Sequence, residues 1–197
     1  MDLTIVVAFL LLTVPAFVTP GPNNLMLMAS SAKFGAVRTL PHMAGVNIGY
    51  PLMLFLIGLG LGEIFTSFPA LQSVLKYLAA GYFLWMAWHL LGLKMGVDGG
   101  AARPMRFFEA VLFQWVNPKA WVISISFISA FMVPGDNRMV SLLLITLGCV
   151  LVGPVASIIW IFFGKQLQVF LRRTGTEKFL GAILALLMLS AVILFLV

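Results

Sequence analysis

The chain reads as long uncharged stretches separated by short connections that hold nearly all of its charge. Apolar residues dominate 3–32, 43–62, 77–93, 110–132, 139–164 and 179–197, and Lys119 is the one charged residue inside any of these stretches. A bilayer hydrocarbon core of about 30 Å is crossed by roughly 17 to 25 helical residues, so each stretch is long enough to span it. None shows the in-out alternation of a barrel strand, and a helix satisfies its own backbone in lipid. The pattern predicts an all-α membrane protein of six transmembrane helices, folded as a single polytopic membrane domain over residues 1–197.

The two halves of the pattern echo each other. Pro22 is followed 29 residues later by Pro51 and, 25 further on, by Lys76-Tyr77-Leu78; Pro118 is followed 36 residues later by Pro154 and, 24 further on, by Lys178-Phe179-Leu180. This order predicts a first repeat at 1–94, a connection at 95–106 and a second repeat at 107–197. Each repeat holds three spans, an odd number, so the second must insert upside down relative to the first. Two inverted three-helix repeats are the layout of many secondary transporters.

Composition agrees with lipid as the solvent. Hydrophobic residues make up 62% of the chain, charged residues 9%, and mean hydropathy is +1.11, whereas soluble domains are about half apolar and about a quarter charged. The segment Met1-Asp2-Leu3 lacks the basic start of a secretory signal, and the apolar run behind it is too long for one, so it is expected to be retained as the first span. Cys149 is the single cysteine and lies in an apolar run, which excludes an intrachain disulfide.

Charge sets the orientation. The net charge of +6 comes from twelve Lys and Arg residues that form no dense patch with interleaved aromatics, so no nucleic-acid partner is expected. Lys33 and Arg38 follow the first span, Lys94, Arg103 and Arg106 the third, and Lys165, Arg172, Arg173 and Lys178 the fifth. The opposite side holds only Lys76 and Arg138. Cytoplasmic loops are the ones rich in Lys and Arg, which predicts that both termini are periplasmic.

Two segments inside the apolar stretches are polar and break helices. Thr19-Pro20-Gly21-Pro22-Asn23-Asn24 lies within the first. Proline removes a backbone donor and clashes with the preceding turn, so the helix should break there. Freed backbone groups at membrane depth need protein or a water-filled cavity around them. The following half-helix would then point its positive end into that cavity, where an anionic group can sit. Asn23 and Asn24 add neutral donors and acceptors suited to a zwitterion; the competing reading is a kink whose asparagines bond neighbouring helices.

Gln114-Trp115-Val116-Asn117-Pro118-Lys119 holds the matching place in the fourth span. From an entry near Phe107, Pro118 lies about 17 Å deep at about 1.5 Å per residue, close to the midplane. A cation there costs roughly 2.5 to 3.5 kcal/mol, so Lys119 should face the interior with a partner. Glu63 and Glu109 fall at span ends, and Asp2, Asp98, Asp136 and Glu177 are terminal or in connections. The partner is then either a substrate carboxylate or the helix carbonyls freed at the first break. With no carboxylate at that depth, Lys119 is also the buried group expected to lose and regain a proton.

Asn47 and Tyr50, three residues apart beside Pro51, share a helix face that can line the same cavity or bond across helices. Gly45-x-x-x-Gly49 and Gly58-x-x-x-Gly62 have the spacing of close helix packing. The tryptophans Trp85, Trp88, Trp115, Trp121 and Trp160 read as interfacial anchors or packing. His42 and His89 are isolated, so no metal site is expected. The chain has no phosphate-binding Gly-Lys-Ser/Thr loop, no His-Glu-x-x-His, no Gly-x-Ser-x-Gly and no paired intramembrane aspartates, which argues against an enzyme, a cofactor or ATP as the energy source.

Pro20-Gly21-Pro22-Asn23-Asn24, Gly45-x-x-x-Gly49, Tyr77-Leu78-Ala79-Ala80-Gly81-Tyr82 and Asn117-Pro118-Lys119-Ala120 occur in that order over nearly the whole chain. Together they resemble the LysE/RhtB amino-acid exporters of bacteria. The resemblance implies a proton-driven efflux transporter of the inner membrane that works as a homodimer. The Pro-Gly-Pro-Asn-Asn form is similar to the cysteine and O-acetylserine exporter branch, implying a small neutral cargo such as cysteine, O-acetylserine, homoserine or threonine. The expected site has the Gly21 to Asn24 backbone and Lys119 on the carboxylate, and Asn23, Asn24 and Asn117 on the amine and side chain. Pro20, Pro22, Asn47, Tyr50, Gln114 and Pro118 complete the candidate set. A passive channel, a non-transporting scaffold and an importer remain open at the level of sequence.

Overall fold

The computed structural model describes residues 2–61 and 103–196, and positions 74, 77, 80, 81, 84, 85, 87, 88, 90 and 91 between them. Among the described residues there is helix and no strand. Seven helices are numbered here: α1 (Leu3–Val18), α2 (Pro22–Phe34), α3 (Ala36–Leu56), α4 (Phe107–Val116), α5 (Pro118–Phe131), α6 (Arg138–Thr174) and α7 (Leu180–Leu196). A π-type turn, Ile57–Leu61, prolongs α3. The expected third span, 77–93, is described in part, and the positions described within it are helical; Gly62, Glu63, Lys76 and His89 lie outside the described residues.

Both predicted helix breaks are present. α1 and α2 meet at an angle of 51° across residues 19–21, and Asn117 separates α4 from α5. Pro22 and Pro118 are each the first residue of the helix behind the break. That position suits proline, since its missing N–H has no intrahelical partner there. Pro51 and Pro154 lie inside α3 and α6, which continue through them.

α3 with its π turn, 26 residues, and α6 with the turn before it, 40 residues, are long and apolar enough to cross a membrane; α1 with α2 makes a third, bent candidate. The fifth stretch, expected to end at residue 164, instead runs helically to Thr174. Its 37 residues are about 56 Å long, well beyond a hydrocarbon core of about 30 Å. The helix outlasts the apolar run because backbone bonding does not require apolar side chains. It stops at Gly175, whose φ of 65° is left-handed, where the Gly175 N–H reaches Arg172 O and the Thr176 N–H reaches Leu171 O.

Close glycine contacts fix how the helices run past one another. A Cβ on Gly45 would meet Phe107 O, and one on Gly49 would meet the Val111 Cα at 2.7 Å, so α3 and α4 lie backbone to backbone and parallel. Gly58 meets Leu142 while Asn47 meets Gly153, which makes α6 antiparallel to α3. Phe9 against Gly148 and Met28 against Gly164 make α6 parallel to the α1–α2 pair. Such small-residue contacts replace the hydrophobic drive that lipid cannot supply between helices.

Two apolar clusters fill the interior. One gathers Leu25, Met28, Trp160, Leu171, Leu184 and Met188, and the other Phe9, Tyr50, Met53, Phe127, Leu142 and Ile145. The outer surface is apolar as well, with Leu11, Leu112 and Leu151 exposed, as expected of helices that meet lipid on one side and protein on the other. At the start of α4 the polar boundary is marked by Glu109, which pairs with Arg103 and accepts from the Arg106 N–H at 2.9 Å. Bonding to Arg103, followed by the Arg106 N–H, holds its carboxyl down to about 2.

Candidate functional site: a cavity between two helix breaks

The break after α1 leaves carbonyls that an uninterrupted helix would have bonded. Each finds a donor. Thr19 returns its own N–H and Oγ1 to Pro15 O at 2.9 and 2.8 Å. Asn24 Nδ2 donates to Phe17 O at 2.6 Å and to Thr19 O at 2.9 Å. Trp160 Nε1, from α6, donates to Val18 O at 3.1 Å. Lys119 Nζ, from the first turn of α5, donates to Thr19 O and Thr19 Oγ1 at 3.0 Å and to Pro20 O at 3.3 Å. Of the two partners open to Lys119 from sequence, the structure puts its ammonium on the freed carbonyls, and all three N–H donors are engaged.

The second break is closed locally. Asn117 Oδ1 accepts from the Lys119 N–H at 3.2 Å, capping α5. Trp121 Nε1 donates to Trp115 O at 3.0 Å, covering the end of α4. By contrast Gly21, the cap residue of α2, offers no side chain, and the first N–H groups of that helix keep no side-chain acceptor. A Cβ on Gly21 would lie 2.8 Å from Lys119 Cδ and 3.1 Å from Nζ, so only glycine lets the lysine pass.

Between these breaks lies a cavity of about 560 Å³, its mouth included. Gly21, Pro22, Asn23, Asn24, Asn47, Tyr50, Asn117 and Lys119 are on its wall, so most of the residues singled out from sequence come together in one place. Pro20, Pro118 and Gln114 are not on the wall: Pro20 is exposed, Pro118 is buried and Gln114 is fully buried. Gln114 and Asn23 form a reciprocal amide pair, Asn23 Nδ2 to Gln114 Oε1 at 2.8 Å and Gln114 Nε2 to Asn23 Oδ1 at 3.2 Å. Both amides are thereby committed to joining α2 to α4.

The far wall comes from α6 and escaped sequence reading: Cys149, Gly153, Ala156 and Ser157. Ser157 Oγ donates to Asn47 Oδ1 at 3.2 Å, and Gly153 leaves room for that amide, since a Cβ there would sit 2.7 Å from Asn47 Oδ1. Asn47 Nδ2 and Tyr50 Oη, both buried, lack protein partners. Among the described residues that line it, Lys119 alone carries a formal charge. The cavity therefore offers one cation, uncapped helix N–H groups and two unengaged polar atoms: the complement of a small molecule with an anionic end and hydrogen-bonding capacity. No cluster of metal-ligating residues occurs among the described residues.

The family model of the LysE type translocator matches residues 14–197. A cysteine/O-acetylserine efflux protein of Escherichia coli O139:H28 is 26% identical over 187 residues, covering 94% of each chain. Proteins with the same description are 28% identical over 168 residues in Klebsiella pneumoniae, covering 84% of each chain, and 26% identical over 182 residues in Shigella flexneri, covering 92% of each. No solved structure matches the chain.

Proposed function

From its membership of the LysE type translocator family, as a transporter and not an enzyme, we propose that this chain exports a small neutral amino acid or derivative across the bacterial inner membrane in exchange for protons. Cysteine, O-acetylserine, homoserine and threonine are the cargo of choice. The description of its relatives as efflux proteins supports that direction. The absence of an acid among the described residues of the cavity wall favours a neutral side chain over a lysine-like one.

The observation that carries the reading is the uncapped start of α2, facing a cavity beside the Lys119 ammonium. The carboxylate of the cargo binds the free N–H groups of Asn23 and Asn24, where a helix end favours negative charge. Lys119 adds its positive field while holding the end of α1. Asn47 Nδ2, Tyr50 Oη and Asn117 face the rest of the cargo. The six spans form two inverted three-helix repeats, supported by the matched places of Pro22 with Pro118 and of Pro51 with Pro154. Both termini are periplasmic, two copies form a homodimer, and rocking one repeat against the other exposes the cavity alternately.

Radiolabelled O-acetylserine and threonine in proteoliposomes under an imposed pH gradient test this. Wild type should show saturable flux against the concentration gradient, and Lys119→Ala and Pro22→Ala should each lose roughly tenfold or more, about 1.4 kcal/mol of transition-state stabilisation or more. Unchanged flux in both variants removes the proposed site. Flux that neither saturates nor runs uphill makes the protein a channel.

A further inference from the structure

His42 is 1% exposed, in the second turn of α3, and neither Nδ1 nor Nε2 has a hydrogen-bond partner. A neutral imidazole has one donor and one acceptor, and each buried without a partner costs roughly 1 to 3 kcal/mol. Packing alone would be served better by an apolar side chain.

Its place in the fold is specific. His42, Val46 and Tyr50 follow one another at i, i+4 and i+8 on one face of α3, and Val46 and Tyr50 line the cavity. On the other side Thr39, fully buried, shares a 2.9 Å hydrogen bond with Ser30 Oγ and donates to Gly35 O at 2.9 Å, in the joint between α2 and α3. Along the axis of α3, His42 lies about 6 Å of helix rise from Val46 and about 4.5 Å of rise from Thr39. That joint is flanked by Lys33 and Arg38, in the connection assigned to the cytoplasm.

Releasing a proton would cost Lys119 one of its three bonds to the first break. Among the described residues, the charged groups on the elements packed against α3 are Lys33 on α2, Glu109 on α4 with Arg103 and Arg106 before it, Lys119 on α5, and Arg138, Lys165, Arg172 and Arg173 on α6; Arg38 precedes His42 on α3 itself. None of them bonds the ring.

We propose that His42 is the proton-carrying group of the transport cycle, poised between the cargo cavity and a hydroxyl pair at the cytoplasmic end of α3. The proposal rests on the proton-exchange reading above. When the emptied cavity faces outward, a proton from its water adds to the free ring nitrogen and the ring becomes an imidazolium. When the cavity faces the cytoplasm, the same N–H bond breaks and the proton leaves past Thr39 and Ser30 to water. One proton enters for each zwitterion exported, and no other group changes charge. The imidazolium and the cargo's ammonium repel in a low-dielectric interior, so each excludes the other.

Two transport modes in the same proteoliposomes separate the roles. Counterflow of O-acetylserine against itself needs no net proton movement, whereas accumulation under a pH gradient does. His42→Gln should keep counterflow within roughly twofold of wild type and lose accumulation roughly tenfold or more, and His42→Glu, which can carry a proton again, should recover part of it. Wild-type accumulation by His42→Gln overturns the proposal, as does equal loss of both modes in folded protein, which would mean packing. Counterflow by wild type without any response to the pH gradient overturns proton exchange and this role with it, leaving the cavity reading intact. A second readout needs no change at His42: in His89→Asn protein labelled with 15N-histidine and titrated with acid, saturating O-acetylserine should lower the pH at which the ring nitrogens take up a proton, and an unmoved midpoint overturns the proposal.

Discussion

At the scale of the residue, the site depends on a few side chains placed so that others can work. Lys119 was legible as a buried cation in need of a partner, but not which partner it takes, because Thr19 is 100 positions away in sequence. Its role is positional and electrostatic together: it closes the open end of α1 and keeps a positive charge beside the uncapped start of α2. Gly153 was not legible at all, since one glycine among eighteen carries no signal by itself. It matters because its bare Cα admits the Asn47 amide. Gly153→Ala should push that amide off Ser157, costing about 1 to 3 kcal/mol and raising KM for cargo more than it lowers the maximal rate. A wild-type thermal unfolding midpoint together with a wild-type KM would remove Asn47 from the account.

At the scale of the element, the breaks were readable and their repair was not. Proline and glycine interrupt a helix through local sterics, so the interruption at residues 19–21 and the one at Asn117 follow from adjacent residues alone. Some donors that cover the freed carbonyls are local and others come from distant helices, and the tryptophans that read as interfacial anchors or packing include one of each. Trp160 reaches Val18 O from α6, and Trp121 reaches Trp115 O across the second break. Trp160→Phe keeps most of the ring but leaves Val18 O unbonded, so it should cost about 1 to 3 kcal/mol. The expected result is a lower unfolding midpoint in detergent; no change would mean that water already satisfies that carbonyl. The end of α6 was misplaced for another reason: hydropathy marks where lipid ends, and the α6 backbone continues for ten residues more.

At the scale of the whole molecule, the all-helical class followed directly from uncharged runs of membrane length. Most of the cavity followed from two break motifs plus Asn47 and Tyr50, which share a helix face. The α6 wall did not follow, because Cys149, Gly153, Ala156 and Ser157 sit in an apolar run with no polar motif and meet the cavity only through the antiparallel crossing of α6 over α3. That crossing is what adds a further wall to the pocket between the two interrupted helices.

The pocket can be tested with a neighbouring pair on α5. Ile123 lines it, whereas Val122 is 58% exposed on the apolar outer surface. In a Cys149→Ser background, cysteine at 123 and cysteine at 122 are treated in intact membranes with a small water-soluble maleimide, which reacts with the thiolate formed only where water reaches. The account predicts labelling at 123, slowed by saturating O-acetylserine, and little at 122. Equal labelling at the two positions, or labelling at 123 that the cargo leaves unchanged, would contradict it.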